Sequence, residues 1–233
     1  MKSKQSGFTL VEIAIVLVIV GLLLGGVLKG QELITSSKAK ALFADKTALQ
    51  TAYNMYSDRY KQLPGDDSLA GLTTVITNGL PIGTAGRFTL AQCGGAECVN
   101  GGGNGAYTMA GVFNNVLAAA PANGNVGENN KMYQHLRAAG FIKVEGTQGT
   151  TIFNPPANAA GNFFGFTNVV QFGLPPTSQL YFVTGNVPQN IAQALDAAND
   201  DGFSNAGGIR GNATAGAGTL YPAGSFNIAT ALF

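Results

Sequence analysis

An uninterrupted apolar segment dominates the start of the chain. Residues Phe8 to Leu28 form 21 consecutive positions that carry a single charge, Glu12. As an α-helix, a segment of this length spans about 30 Å, which is the thickness of a bilayer's hydrocarbon core. A short polar stretch containing Lys2 and Lys4 precedes it. The pattern predicts a membrane-spanning helix whose basic flank stays on the cytoplasmic side.

The residues that follow have the period of an amphipathic helix. Apolar positions recur at spacings of seven, four, three and four, with charged residues between them: Leu42, Leu49, Tyr53, Tyr56 and Tyr60. The first proline is Pro64, followed by Gly65, and this pair is a helix-stop signal. We therefore expect one helix from residue 8 to about 60. Its first part, 8–30, is apolar, and its second part, 31–62, packs against the rest of the chain.

The remaining residues, 63–233, predict a globular head that mixes helices and strands. Helical patterns cover 128–139 and 189–198, and residues 72–92 are typical of a loop with at most short strands. Four segments have strand character: 141–144, 163–172, 179–184 and 226–233. The predicted fold class is α+β, with a long N-terminal helix packed against an antiparallel β-sheet head that carries extended loops.

Composition separates the same two regions. Residues 1–61 hold 8 of the 13 lysines and arginines but only 5 of the 33 glycines, whereas 62–233 hold just 13 charged residues. A net charge of +1 provides no basic field for nucleic acid. The low charge also argues against the high-charge type of disorder.

Glu12 is not explained by a simple membrane anchor. A carboxylate inside an apolar span costs on the order of 2–3 kcal/mol, and no other side chain between residues 8 and 28 can pair with it. A partner from another subunit would remove that cost. A secretory signal peptide is the alternative, but its apolar core is usually about 7–15 residues long and ends at a small-residue cleavage site. The apolar run here is longer, and no convincing site of that kind ends it.

The basic leader that ends at Gly7, followed by FTLVE at 8–12 and a long apolar helix, resembles the class III leader of type IV prepilins and pseudopilins. The resemblance implies that a prepilin peptidase removes residues 1–7 by cutting before Phe8, and that it methylates the new amine of Phe8. It also implies that Glu12 neutralises the N-terminus of a neighbouring subunit, which lowers the cost of burying both charges.

The resemblance implies a structural role without enzymatic activity, namely a subunit of a type IV pilus-like filament. Its expected partners are other copies of the chain, the prepilin peptidase and the inner-membrane pilus assembly machinery. The precursor would lie in the inner membrane and the product in a filament at the cell surface. Two alternatives stay open: a type II secretion pseudopilin, and a membrane-anchored binding protein that does not polymerise. We also hypothesise that the helix loosens around Gly21–Gly30 in the filament, because glycine disfavours helix.

Cys93 and Cys98 enclose four residues in the head. On an exported domain, two cysteines this close favour a local disulfide over free thiols. Two sulfur ligands do not complete a tetrahedral zinc site.

The turn at residues 199–202 permits two interpretations. Asn199, Asp200 and Asp201, with Asp196 close by, offer the oxygen ligands that Ca²⁺ prefers. Alternatively, the aspartates accept hydrogen bonds from backbone N–H groups and Gly202 adopts a positive φ. The spacing is not that of an EF-hand, so we favour a turn without a cofactor.

His135 is the one histidine in the sequence, and it falls inside a predicted helix. A Ser–His–Asp or Cys–His site would have to use it. Since the helical pattern already accounts for its position, we predict no catalytic residues.

Overall fold

The computed structural model describes most of the long helix and the framework of the head. The described residues are 9–71, 73–77, 80–84, 86–88, 92–93, 98–105, 127–143, 156–161, 164–167, 172–174, 180–212, 220–221 and 223–231. The leader, including Gly7, and the residue after it, Phe8, lie outside the described residues.

One helix, α1, runs without interruption from Leu10 to Tyr60. Its 51 residues span about 77 Å. The helix ends at Lys61, which adopts a left-handed backbone (φ 53°) and donates its N–H to the Ser57 carbonyl at 2.9 Å. Within the subunit, α1 is continuous through Gly21–Gly30, so the loosening hypothesised there stays a prediction for the filament.

In its described residues, the head combines two short helices with two antiparallel sheets. In chain order its elements are β1 (Thr73–Thr77), β2 (Leu80–Thr84), α2 (Glu128–Ala138), β3 (Phe164–Thr167), β4 (Tyr181–Pro188), α3 (Gln189–Asn199), β5 (Ile209–Gly211) and β6 (Ser225–Ala231). β1 and β2 form a hairpin, and the other four strands form one sheet in the order β3-β4-β6-β5. The α+β class with an antiparallel sheet is confirmed.

The central pair of the larger sheet is β4 and β6. Tyr181 pairs with Ala231, and the register shifts between Thr184 and Val187, where Asn186 adopts a positive φ of 51°. β4 ends at Pro188, and α3 begins at the next residue. A proline is tolerated there because the first turn of a helix has no carbonyl partner for its N–H.

The second half of α1 packs against the sheet and both short helices. Its buried residues recur at helical spacing: Ala39, Leu42, Leu49, Ala52, Tyr53 and Tyr56. They join one hydrophobic core with residues of α2, α3 and the larger sheet. The predicted apolar face is confirmed, with Tyr60 partly buried at its end.

The strand predicted at 141–144 is wrong for its described residues, 141–143, which form a turn. Gly140 has φ +76°, and Phe141 donates its N–H to the Leu136 carbonyl at 2.9 Å. These residues therefore close the C-terminus of α2 instead of starting a strand. The three-residue strand β5 was not predicted, because its sequence IRG is too short and too glycine-rich to show a period of two.

Candidate functional site

At the N-terminal end of α1, the side chains of Thr9 and Glu12 cap the helix reciprocally. The Thr9 backbone N–H donates to Glu12 Oε2 at 2.8 Å, and the Thr9 hydroxyl donates to the same oxygen at 2.8 Å. In return, the Glu12 N–H donates to Thr9 Oγ1 at 3.4 Å. This capping box satisfies two backbone donors of the first turn and places a negative charge at the positive end of the helix.

The Glu12 carboxylate lies beside a long, uncovered apolar surface. Every residue from Leu10 to Leu28 is exposed in the subunit, and Leu10 itself is 90% exposed. The next charges after Glu12 are Lys29 and Glu32, which pair with each other at 2.7 Å. Among the described residues Glu12 contacts no cation, so its carboxylate is available for a partner outside the subunit.

α1 is the helix in the described part of the chain that is long and apolar enough to cross a membrane. Residues 2–28 match the family model described as the prokaryotic N-terminal methylation motif. The chain carries the signature of type IV pilin and prepilin-type proteins. No curated protein and no solved structure matches the chain. The prepilin-type motif covers the positions of Gly7, Phe8 and Glu12, whose individual roles stay predictions.

The predicted disulfide is confirmed. It joins Cys93 and Cys98, whose Cα atoms lie 5.3 Å apart, and both cysteines are buried in the hydrophobic core. Immediately after it, the Val99 N–H donates to the Gln134 side chain on α2 at 2.8 Å. The disulfide therefore fixes the segment that leads into the glycine-rich loop against α2.

Sequence reasoning missed a buried carboxylate at the turn after α1. Asp67 is fully buried and accepts hydrogen bonds from the Tyr56 hydroxyl at 2.7 Å, Arg87 Nε at 2.7 Å and the Leu69 N–H at 2.9 Å. This group ties the last turns of α1 to the loop that follows it. The Pro64-Gly65-Asp66-Asp67 sequence signalled a helix stop, but nothing in it indicated which distant residues the carboxylate would bind.

A second buried acid, Asp66, organises the glycine-rich loop at 101–105. Its carboxylate accepts the N–H groups of Asn104 at 3.3 Å and Gly105 at 2.7 Å. Glu128, at the start of α2, accepts the Gly102 N–H at 3.0 Å. Backbone N–H groups of the loop therefore donate to buried carboxylates, a close approach that glycines allow without steric cost.

His135 is a packing residue of the head. Its Nδ1 accepts the Gly65 N–H at 2.9 Å, and its Nε2 donates to the Val99 carbonyl at 2.9 Å. Burial lowers the pKa of His135 to about 4, against a smaller effect of the Val99 hydrogen bond, which raises it. Because backbone groups occupy both ring nitrogens, the contacts support a structural role for this histidine.

The turn after α3 gathers three acids. Asp196, Asp200 and Asp201 each place a carboxylate oxygen within 4.8 Å of the others. The Asn199 side-chain amide donates its N–H to the Leu195 carbonyl at 2.7 Å. Of the candidate ligands named from the sequence, the structure therefore brings the three carboxylates together, with Asp196 buried.

Backbone and tyrosine donors already occupy these carboxylates. Asp200 accepts the N–H groups of Gly208 and Ile209 at 2.6 and 2.8 Å, and Asp196 accepts the Gly202 N–H and the Tyr221 hydroxyl at 2.9 and 2.8 Å. Burial raises the pKa of Asp196, the hydrogen bonds from Tyr221 and Gly202 lower it, and the neighbouring aspartates raise it; the resulting pKa is about 6. Gly202 has φ +82°, as the turn interpretation requires.

We predict that calcium does not stabilise this turn, because hydrogen bonds already satisfy its acids. In a thermal melt of the detergent-solubilised chain, millimolar Ca²⁺ and a chelator should give midpoints that differ by less than about 1 °C. A rise of several degrees with Ca²⁺, abolished by Asp200→Asn, would instead establish a calcium site at these three aspartates.

Proposed function

We propose that the chain is a structural subunit of a type IV pilus-like filament and assembles through α1 after a prepilin peptidase removes residues 1–7. The observation that carries this proposal is the methylation motif at 2–28, on a helix whose apolar half is wholly exposed and holds one acid near its start. A soluble monomer does not tolerate so large an apolar surface. A membrane covers it before assembly, and neighbouring helices cover it in the filament.

The position of Glu12 supports a role in this assembly. Cleavage before Phe8 creates an amine four residues upstream of Glu12. A neighbouring copy displaced along the filament by the length of this short segment brings its amine level with the Glu12 carboxylate. Pairing the two removes an unpaired charge from each helix in a medium of low dielectric constant, where such charges are costly.

Replacing Glu12 with alanine should abolish filaments while leaving membrane insertion intact. The substitution removes the charge that attracts the neighbour's amine, yet it makes the spanning segment more apolar. Sheared filaments should fall below detection on an immunoblot, whereas the amount of chain in the membrane fraction should match the wild type.

Thr9→Ala is the matched control, because it breaks the same capping box without removing the carboxylate. Loss of a cap costs about 1 kcal/mol, so this variant should still assemble. Equal loss of filaments in both variants would assign the effect to the helix end and not to the charge. Sequencing the sheared subunit should give Phe8, methylated on its amine, as the first residue; a start at Met1 would contradict processing.

The same motif and helix also fit a type II secretion pseudopilin, which builds a short filament in the periplasm. Shearing separates the two proposals, because surface filaments are released and periplasmic ones are not. A wild-type chain that stays monomeric in the membrane would favour a non-polymerising anchor.

A further inference from the structure

The helix α3 runs beside α1 with its first turn directed toward the apolar half of α1. The Asn190 side-chain amide, in that first turn, donates to Thr35 Oγ1 at 3.1 Å. Further along both helices, Leu195 and Leu42 line the same small cavity. The contacts from Asn190 to Leu195 therefore follow α1 from Thr35 to Leu42, away from the apolar half. The first turn of α3 is thus the part of that helix nearest the membrane.

Thr35 lies at the level of the lipid headgroups when the apolar half of α1 spans a bilayer. The apolar segment ends at Leu28, and Thr35 follows seven residues later, about 10 Å along the helix axis. The headgroup layer adds about 5–8 Å on each side of the hydrocarbon core. Between these positions, Leu33 and Ile34 are 62% and 59% exposed, so the apolar surface of α1 extends to the residue before Thr35. The head therefore begins at the outer edge of the headgroup layer.

Two strand ends lie at the same level as the first turn of α3. The Gln189 N–H donates to the Gly224 carbonyl at 2.9 Å, and the Gln189 side-chain amide donates to the Tyr221 carbonyl at 2.7 Å. Pro188, the last residue of β4, pairs with Ser225, the first residue of β6. We call the exposed residues at this level the membrane-facing end: Asn186, Gln189, Asn190, Ala223, Gly224 and Ser225.

The segments that form the membrane-facing end are free of charge. The sequence has no aspartate, glutamate, lysine or arginine in 181–195 or in 211–233. The opposite end of α1 differs, since Asp58, Arg59 and Lys61 are all exposed there. Amide, hydroxyl and methyl groups enter a headgroup layer without the cost of desolvating a charge. The membrane-facing end therefore has the composition that contact with a bilayer surface requires.

Two neighbouring side chains add to this complementarity. Leu220 precedes Tyr221 and is 61% exposed, which leaves apolar surface beside the membrane-facing end. Lys38 is exposed on α1, three residues beyond Thr35 and about 5 Å further along the axis. A lysine near the membrane surface is attracted to the phosphates of anionic lipids.

We propose that the membrane-facing end rests on the phospholipid headgroup layer of the bilayer that α1 spans. The inference rests on the proposed function, because it concerns the membrane stage that precedes assembly. The contact holds the head against the membrane surface while the subunit waits there. It is broken when α1 leaves the bilayer for the filament.

Quenching by lipid-attached nitroxides tests the contact. Ala223→Cys is labelled with bimane and reconstituted, at about one chain per vesicle, into phosphatidylethanolamine–phosphatidylglycerol vesicles that carry nitroxide headgroups. The native cysteines are joined to each other, so the introduced thiol is the only free one. We expect the lipid nitroxides to lower the emission at least about twofold, because the label lies in the headgroup layer.

Ala48→Cys is the matched control, since it changes another exposed alanine, which lies on α1 about 20 Å beyond Thr35. Its emission should not change with the nitroxide lipids. A second pair of probes uses two exposed leucines, Leu220→Cys and Leu69→Cys. Leu69 follows the far end of α1, so quenching is expected at position 220 alone.

A charge placed on the membrane-facing end provides a second readout. Ala223→Glu puts an anion against the anionic vesicle surface, which repels it. This change should reduce the quenching of a label at position 220 to the level found at position 69, whereas Ala223→Lys should preserve it. Equal quenching in the two charge variants would show that position 223 does not meet the lipid and would overturn the contact.

The remaining outcomes separate the contact from the proposed function, because the yield of sheared filaments is measured independently. Filaments from the wild type, with no quenching at positions 220 and 223, would overturn the contact and leave the filament function standing. Quenching at these positions without any filaments would support the contact and overturn the filament function. A label at position 223 that is unquenched in dilute vesicles, but shielded from solvent in filaments, would assign this end to a neighbouring copy and refute the lipid contact.

Discussion

Replacing Asp67 with alanine should lower the free energy of unfolding of the head by about 3–5 kcal/mol. The carboxylate is fully buried and accepts three hydrogen bonds, including one from Arg87 Nε at 2.7 Å. Its removal leaves the Arg87 guanidinium without its counter-charge and the buried Tyr56 hydroxyl without an acceptor. Leaving such groups unpaired costs more than the net value of the bonds themselves. A loss of this size is a large part of the stability of a typical domain.

The measurement is a urea titration of the detergent-solubilised chain, followed by tyrosine fluorescence, because the sequence has 7 tyrosines and no tryptophan. Asp58→Ala is the matched control, since Asp58 is also an acid near the end of α1 and pairs with a base, Lys61, at 2.8 Å. That pair is exposed, so its removal should not shift the midpoint measurably. A midpoint for Asp67→Ala as close to wild type as that of Asp58→Ala would refute the stabilising role of the buried pair.

The sequence was informative where a single element determined the pattern. The apolar segment, the acid at position 12 and the spacing of Leu42, Leu49 and Tyr53 all depend on one helix. Their periodicity is therefore visible without knowledge of the rest of the fold. The leader motif is similarly local, and the family model recovers it at residues 2–28.

The head was less predictable because its key contacts join residues far apart in the chain. β3 pairs with β4, but β4 then pairs with β6, and α3 and β5 lie between them in sequence. Asp67 and Arg87 are 20 residues apart in the sequence, and Gly65 and His135, which form a hydrogen bond, are 70 residues apart. A buried aspartate and a surface aspartate look the same in sequence, so the turn at Asp66 and Asp67 was assigned only a helix-stopping role. Its partners became identifiable once the chain was folded.

Protonation of His135 should lower the stability of the head as the pH falls. Its Nδ1 accepts the Gly65 N–H, so a proton at this nitrogen would break that bond and introduce a buried charge. The folded-state pKa of His135 is about 4, while an unfolded histidine titrates near 6.5. The unfolded chain therefore takes up the proton first as the pH falls. The stabilisation is complete above pH 6.5 and is lost progressively down to pH 4, by about 3 kcal/mol in total.

The comparison that isolates this effect is wild type against His135→Gln, with urea titrations at pH 7, 6, 5 and 4. Glutamine does not titrate, so the stability difference between the two proteins should shrink by about 3 kcal/mol across this range. Asp196 contributes in the opposite direction, because its raised pKa means that the folded state gains stability on acidification over about the same range. That contribution is present in both proteins and cancels in the difference. Parallel pH profiles would mean that the buried imidazole accepts its proton in the folded head, in conflict with the Gly65 and Val99 contacts that hold it neutral.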